Sequence, residues 1–373
     1  MTFPDYTLTA LLGKAVSDAF GCPFEFHESA PAMAELSIKE GRYLSCWDDV
    51  HQPVRRCRTS GLYSDDTQQA LVLLWIWSQL RAKNIDPNQA ESVADLFVKV
   101  CHRMSIEPIN VPGAFGVHRG TGQNFREVIL RGTVPNTAGL GGAMRIAPVA
   151  TLIDDPMLVM PWAAAVTAST TTNPIGIAGA ARIAAQAWNA ARGEGWNPFN
   201  LDELGFTNLA DDVQDAHYML EQAERVLRNR GEQALLEYAT KTGTASHDLK
   251  CAADGFALTG VPWIIHCVSE ATSFEDALIR VCASGGDADT VAAIAGCLAA
   301  LRFGRDAIPS WMVDGLVGRE HVLDPNTWHP LASERHYPRM DRELQNGIEK
   351  QLREAAKARA GKSKPRPPSE DES

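Results

Sequence analysis

The chain lacks most of the spacings that mark a known chemistry. Its eight cysteines contain no C-x-x-C pair, and its ten histidines form neither H-E-x-x-H nor any close pair at helical spacing. Zinc sites of the ribbon, finger or protease kind need such spacings, so none is expected. Nor do the scattered cysteines offer a disulfide framework. They read as small buried apolar side chains in a reducing, cytoplasmic setting. No apolar run reaches the length of a bilayer span, so no membrane association is expected. The start, Met1-Thr2-Phe3-Pro4-Asp5, lacks the basic-then-apolar order of a signal peptide. Positive charge is also short: 35 Lys and Arg against 46 Asp and Glu leave a net −11. This argues against general nucleic-acid binding but leaves room for a small anion pocket. Strand-like alternation is scarce, no repeat of fixed period occurs, and no strand–turn–helix unit surrounds the glycines, so a dinucleotide-binding fingerprint is absent.

What remains is helix. With 373 residues, 45% of them apolar, the chain can bury a large core. Helical patterning predicts segments near 8–19, 65–77, 90–104, 124–130, 156–168, 174–191, 210–228, 232–240, 256–268, 273–283 and 288–301, with another starting near 309. The expectation is an all-α, compact many-helix domain over residues 1–345. Residues 346–373 read as a helical extension running into a disordered polar tail. Residues 27–60 read as a long polar excursion carrying Trp47-Asp48-Asp49 and the basic Arg55-Arg56-Cys57-Arg58. The glycine-rich stretches 112–122 and 139–142 let backbone approach either a ligand or another helix. Arg145 follows the second of them, as a site charge or one half of a salt bridge.

Two helix starts are acidic. Ser64-Asp65-Asp66-Thr67 opens an apolar helix, and Gly285-Gly286-Asp287-Ala288-Asp289-Thr290 opens another. Either alone is an ordinary capped helix start. Together they offer carboxylate and hydroxyl oxygens suited to Mg²⁺ or Mn²⁺, as one ion or two bridged ions. An EF-hand is excluded, because the positions that would carry its fifth ligand, its glycine and its final glutamate hold Val291, Ala292 and Leu298. Positive partial charge at a helix N-terminus disfavours a cation, which makes a cluster of acids more necessary. Asp18 and Glu25 flank the turn Gly21-Cys22-Pro23, and the plain reading is two solvated acids around a helix stop.

These motifs, taken in order, resemble the ADP-ribosylglycohydrolase family. Gly13 with Asp18 to Glu25 resembles its N-terminal glycine and acid motif, and Ser64-Asp65-Asp66-Thr67 its T-D-D-T. His118 to Gly122 and Gly141 to Pro148 resemble its glycine-rich loops, and Gly285 to Thr290 its G-G-D-x-D-T. The resemblance implies an all-α fold around a central metal cleft holding two Mg²⁺ ions, with Mn²⁺ as the other candidate. Carried over by position, Ser64, Asp65 and Asp66 would ligate one ion together with Asp289. Asp287, Asp289 and Thr290 would ligate the second. Glu25, Asp66 and Asp289 are the implied catalytic residues, and Gly120, Gly122, Gly141 and Gly142 would bind the diphosphate. The implied reaction frees ADP-ribose from a modified protein or small-molecule acceptor, foremost ADP-ribosyl-arginine. The alternatives are a non-catalytic ADP-ribose-binding protein and a hydrolase of another ADP-ribosyl or nucleotide-like linkage. Four positions depart from the family pattern: Ser64 stands for a threonine, Ser17 for a glycine, Leu140 for an asparagine and Thr171 for a histidine.

Overall fold

The computed structural model describes residues 2–46, 48–51, 59–106, 120–193, 202–242 and 249–333. Trp47, the basic run 55–58, the glycine-rich stretch 112–119 and the extension 346–373 lie outside these residues. Among the described residues the chain is all-α, with no strand. The helices are α1 (Asp5–Gly21), α2 (Ala30–Glu40), α3 (Asp65–Ala82), α4 (Ala90–Ile106), α5 (Gln123–Arg131), α6 (Gly141–Ala150), α7 (Val159–Ala168), α8 (Pro174–Ala191), α9 (Asp211–Lys241), α10 (Ala257–Glu270), α11 (Phe274–Cys282), α12 (Ala288–Phe303), α13 (Ser310–Gly315) and α14 (Arg319–Leu323).

At the centre α1 packs along α12. The sequence pattern predicts α1 as a short helix with one inward face, but every residue from Thr9 to Gly21 is buried. The two helices approach closely because they meet through small residues. A Cβ on Gly13 would lie 2.4 Å from the Gly296 carbonyl oxygen and 2.3 Å from Ala300 Cβ. Two turns along, a Cβ on Gly21 would lie 2.4 Å from the Ala288 carbonyl oxygen. Between them Ser17 faces Gly296, where a Cβ would lie 1.9 Å from the Ser17 hydroxyl oxygen. The departure at Ser17 is thus accommodated by a glycine on the opposite helix. Helix α3 is buried on all sides over its first ten residues, as its apolar run predicts.

Two stretches differ from expectation. Within the polar excursion, α2 forms an eleven-residue helix with a proline in its first turn and Gly41 in the left-handed region at its end. Only Ala30, Ala34 and Ser37 are buried along it, so its apolar stripe is too thin to show as a period. The stretch from Gly141, matched to a glycine-rich loop of the family, is a helix, with Pro148 late in its ten residues. The two helices expected over 210–240 are α9, kinked at Gly231, where φ is 79°.

A buried polar cluster joins α8 to α9. Arg182 donates to both carboxylate oxygens of Glu224, at 2.5 and 2.7 Å, and its Nη1 lies 3.0 Å from His217 Nε2. Burial first, and Arg182 second, hold the His217 pKa down at about 3. An unfolded histidine titrates near 6.5, so between these values the unfolded chain binds a proton that the native chain refuses. Stability is therefore expected to fall as pH drops from about 6.5, with a contribution of about 1.4 kcal/mol per pH unit from this residue. Urea titrations at a series of pH values measure it. The slope should shrink by that amount in His217→Gln, and an unchanged slope would assign the acid sensitivity elsewhere.

Candidate active site

A cleft of about 340 Å³ opens where several helices begin. Its lining includes Asp65 and Asp66 from the start of α3, Asp289 and Thr290 from the start of α12, and Asp287 just before it. It also includes Gly122 just before α5, and Gly141 and Gly142 at the start of α6. The two acidic motifs, more than 200 residues apart, thus face one space. They also touch: the Thr290 hydroxyl donates to Asp66 Oδ2 at 3.4 Å. One carboxylate oxygen each from Glu25, Asp287 and Asp289 lies within 4.8 Å of the others, close enough to hold a metal ion together.

Local sequence explains how α3 presents its acids. Ser64 is the N-cap: its hydroxyl accepts from the Asp66 amide at 3.1 Å and lies 3.0 Å from Asp66 Oδ2. Ser64 itself is fully buried and is not part of the cleft lining. Behind the cap stands Asp18, which overturns the solvated reading. Asp18 is completely buried. Its Oδ1 accepts from the Ser64 amide at 2.8 Å, and its Oδ2 accepts from the Thr67 amide at 3.0 Å and the Thr67 hydroxyl at 2.6 Å. A residue of α1 therefore anchors the first turn of α3. Cys22 donates to Asp18 Oδ1 at 3.3 Å, and its sulfur is 3.9 Å from Asp289 Oδ2. Glu25 is only partly buried and lines the cleft. Next to it Phe26 has a φ of 52°, with its amide donating to the Gly286 carbonyl at 2.6 Å.

A chain of hydrogen bonds runs away from the acids. Asp65 Oδ2 accepts from Gln69 Nε2 at 2.7 Å, Gln69 Oε1 accepts from Arg145 Nη1 at 3.0 Å, and Arg145 Nη2 donates to the Thr170 hydroxyl. Arg145 is buried, with its guanidinium 4.8 Å from the Phe97 ring centre, and burial lowers its pKa to about 10. It lines the cleft, so the site-charge reading holds. Gln69 was not foreseen, although its place one helical turn after Asp65 on α3 was a signal. Phe26, Asn124 and Phe125 also line the cleft, and no sequence motif marks them.

The glycines divide by role. Gly122 and Gly141 line the cleft, and a Cβ on either would meet nothing within 4 Å. Gly142 packs against the fold, since a Cβ there would lie 2.3 Å from Thr167 Cγ2. Gly120, with φ of 93°, also lines the cleft. The two altered positions hold structural contacts. Leu140 is buried, and a Cβ on Gly260 would come within 2.9 Å of its side chain. The Thr171 hydroxyl donates to the Thr137 carbonyl at 2.7 Å and accepts from the Asn173 amide at 3.1 Å.

The charge balance of the cleft is poor as it stands. Burial raises the Asp66 pKa well above the carboxylate range; Lys14 opposes this, while Asp18, Asp289 and Asp65 add to it. Asp287 is raised by burial and then by Asp289, Glu25 and Asp66. Asp66 Oδ1 is buried without a hydrogen-bond partner. Crowded carboxylates, an orphaned oxygen and a donor set of oxygens fit a hard divalent cation.

Comparison with known proteins bears on the family and the fold. The chain is 24% identical over 323 residues to the ADP-ribosyl-[dinitrogen reductase] glycohydrolase of Rhodospirillum rubrum, covering 85% of this chain and 92% of the relative. It is 27% identical over 322 residues to an uncharacterized protein of Archaeoglobus fulgidus, covering 84% and 92%. A solved ADP-ribosylglycohydrolase-related protein complex shares the fold with a TM-score of 0.56 at 22% identity, covering 89% of this chain and 97% of that one. The family model for ADP-ribosylglycohydrolase matches residues 2–344, and the chain therefore belongs to the ADP-ribosylglycohydrolase family, hydrolases of ADP-ribosyl linkages.

Proposed function

We propose that this protein removes ADP-ribose from arginine side chains of modified proteins, with Mg²⁺ or Mn²⁺ bound in the cleft. The observation that carries this reading is the sign pattern of the helix starts around one cavity. Two of them, at α3 and α12, bear carboxylates, and two, at α5 and α6, are led by glycine or leucine with no side-chain cap. Uncapped first turns present amide hydrogens and positive partial charge, which suit a diphosphate. The acidic starts reverse that sign and suit a divalent cation. A diphosphate-linked sugar with polar hydroxyls needs both.

In this reading Asp65, Asp66, Asp287, Asp289 and Thr290 would hold the cation or cations, with Ser64 fixing the first turn of α3 from behind. When bound, the metal would act as a template that orients the ribose hydroxyls. Gly120, Gly122, Gly141 and Gly142 let the diphosphate approach the backbone. Water adds at the anomeric carbon as the bond to the guanidinium nitrogen breaks. Glu25 takes the proton from that water and passes it to the leaving guanidine. Glu25, partly exposed in the cleft, favours a cationic leaving group beside it.

Peptides bearing ADP-ribosyl-arginine or ADP-ribosyl-serine, O-acetyl-ADP-ribose, and ADP-ribosylated nucleic-acid ends, each incubated with enzyme and Mg²⁺, test this. ADP-ribose should be released from the arginine peptide, release should stop in EDTA, and added Mg²⁺ or Mn²⁺ should restore it. Turnover that persists in EDTA would remove the metal from the mechanism. Binding of ADP-ribose without release from any substrate would make the chain a binding protein.

A further inference from the structure

Lys14 is the most unusual side chain in the core. It lies on α1, fully buried, and its Nζ has no hydrogen-bond partner. A buried ammonium without partners is costly unless opposite charge lies near. Asp18, one turn further along α1, anchors the acidic start of α3, and residues four apart on a helix share a face. Lys14 therefore stands on the face of α1 turned towards the base of the acidic cleft. Asp66 Oδ1 is also buried and without a partner, so no hydrogen bond joins that oxygen to Lys14. Charges act on one another across a dry core without a hydrogen bond, so the Lys14 ammonium still bears on the acids. Direct pairing would have taken Asp66 out of the cleft. Held apart from it, Lys14 balances the acids and leaves their oxygens to a ligand.

We infer that Lys14 is a built-in counter-cation of the acidic cleft, which stabilises the cation-free protein and lowers its affinity for a divalent metal ion. This rests on the reading that the acids hold a cation. The bound ion and the Lys14 ammonium carry the same sign in a buried region, so each weakens the other's hold. The chain thus exchanges metal affinity for a cleft that stays folded when empty.

Calorimetric titration with MgCl₂, and with MnCl₂ followed by electron paramagnetic resonance, measures the affinity directly in wild type and Lys14→Met. The Kd for the ion is expected to fall about tenfold or more in Lys14→Met. Thermal unfolding supplies a second readout. The variant should be less stable than wild type in EDTA and should recover most of that loss in saturating Mg²⁺. A lysine that only fills space would lower Tm equally in both conditions and leave Kd unchanged, and that result would overturn the inference. Lys14→Gln, neutral and more polar, serves if Lys14→Met does not fold, with the same expected direction. Wild-type protein that binds neither ion would instead overturn the cation reading itself, so the two failures are distinct.

Discussion

Asp66→Asn is expected to cut the release of ADP-ribose by roughly 10²–10³-fold, the size of effect seen when one charge-stabilising group is lost from a preorganised site. The substitution keeps the shape of the side chain, and an amide can replace the contacts with the Ser64 and Thr290 hydroxyls. What it removes is the capacity of a buried oxygen without a partner to carry negative charge. Because burial and neighbouring acids already disfavour that charge, the variant should be no less stable than wild type in EDTA. Its gain in Tm on adding Mg²⁺ should shrink sharply. Activity lost together with the Mg²⁺ response, at unchanged metal-free stability, identifies Asp66 as a cation-holding group. An Asp66→Asn enzyme with wild-type turnover and an undiminished Mg²⁺ shift would place the cation elsewhere.

The parts of this site that could be read from sequence share a property: their chemistry is local. A serine before two aspartates at the head of an apolar run is a helix start wherever it occurs, and α3 begins there with Ser64 as its cap. The Gly-Gly-Asp-x-Asp-Thr order likewise forecasts a turn into α12, and Gly285 and Gly286 take φ values of 76° and 71°. Asp18 could not be read in the same way. Its partners lie 46 and 49 residues away, and next to a glycine–proline turn a buried anchor and a solvated acid have the same sequence. Lys14 is the same case with opposite sign, since a lysine in an apolar helix ordinarily marks the wet face. Only the packing of α1 against α12 shows that α1 has no such face. The glycines after residue 138 were ambiguous for another reason. Near a cleft and near a helix they look alike: both Gly141 and Gly142 border the cleft, and a Cβ on Gly141 would meet nothing within 4 Å, whereas one on Gly142 would meet Thr167.

The long-range packing that sequence left hidden also controls the geometry of the acids, and this gives Gly21→Ala an unusual expectation. Gly21 sits at the end of α1 with φ −75° and ψ −30°, ordinary helical values. On helix propensity alone, alanine there should stabilise by about 0.5–1 kcal/mol. The surroundings decide otherwise. A Cβ at Gly21 would lie 2.4 Å from the Ala288 carbonyl oxygen, 2.7 Å from its carbonyl carbon and 2.7 Å from Asp289 Cα. All three are backbone atoms, so no side-chain rotation relieves the contact, and α12 must move at its first turn. Overpacking of this kind costs about 1–3 kcal/mol, enough to reverse the sign set by propensity. The displaced residue is Asp289, whose carboxylate shares the cleft with Glu25 and Asp287. A shift of about 1 Å in a positioned group can cost on the order of 10²-fold in rate, so activity should fall further than stability would explain. Gly193→Ala is the control: it has φ of 69° and open space around its Cβ position, and it lies outside the cleft. It should lose about 1 kcal/mol from backbone strain and keep wild-type turnover. Thermal unfolding and ADP-ribose release measured on both variants separate the two effects. A Gly21→Ala protein as stable and as active as wild type would show that the start of α12 yields freely, and that the contact of α1 with α12 does not set the position of Asp289.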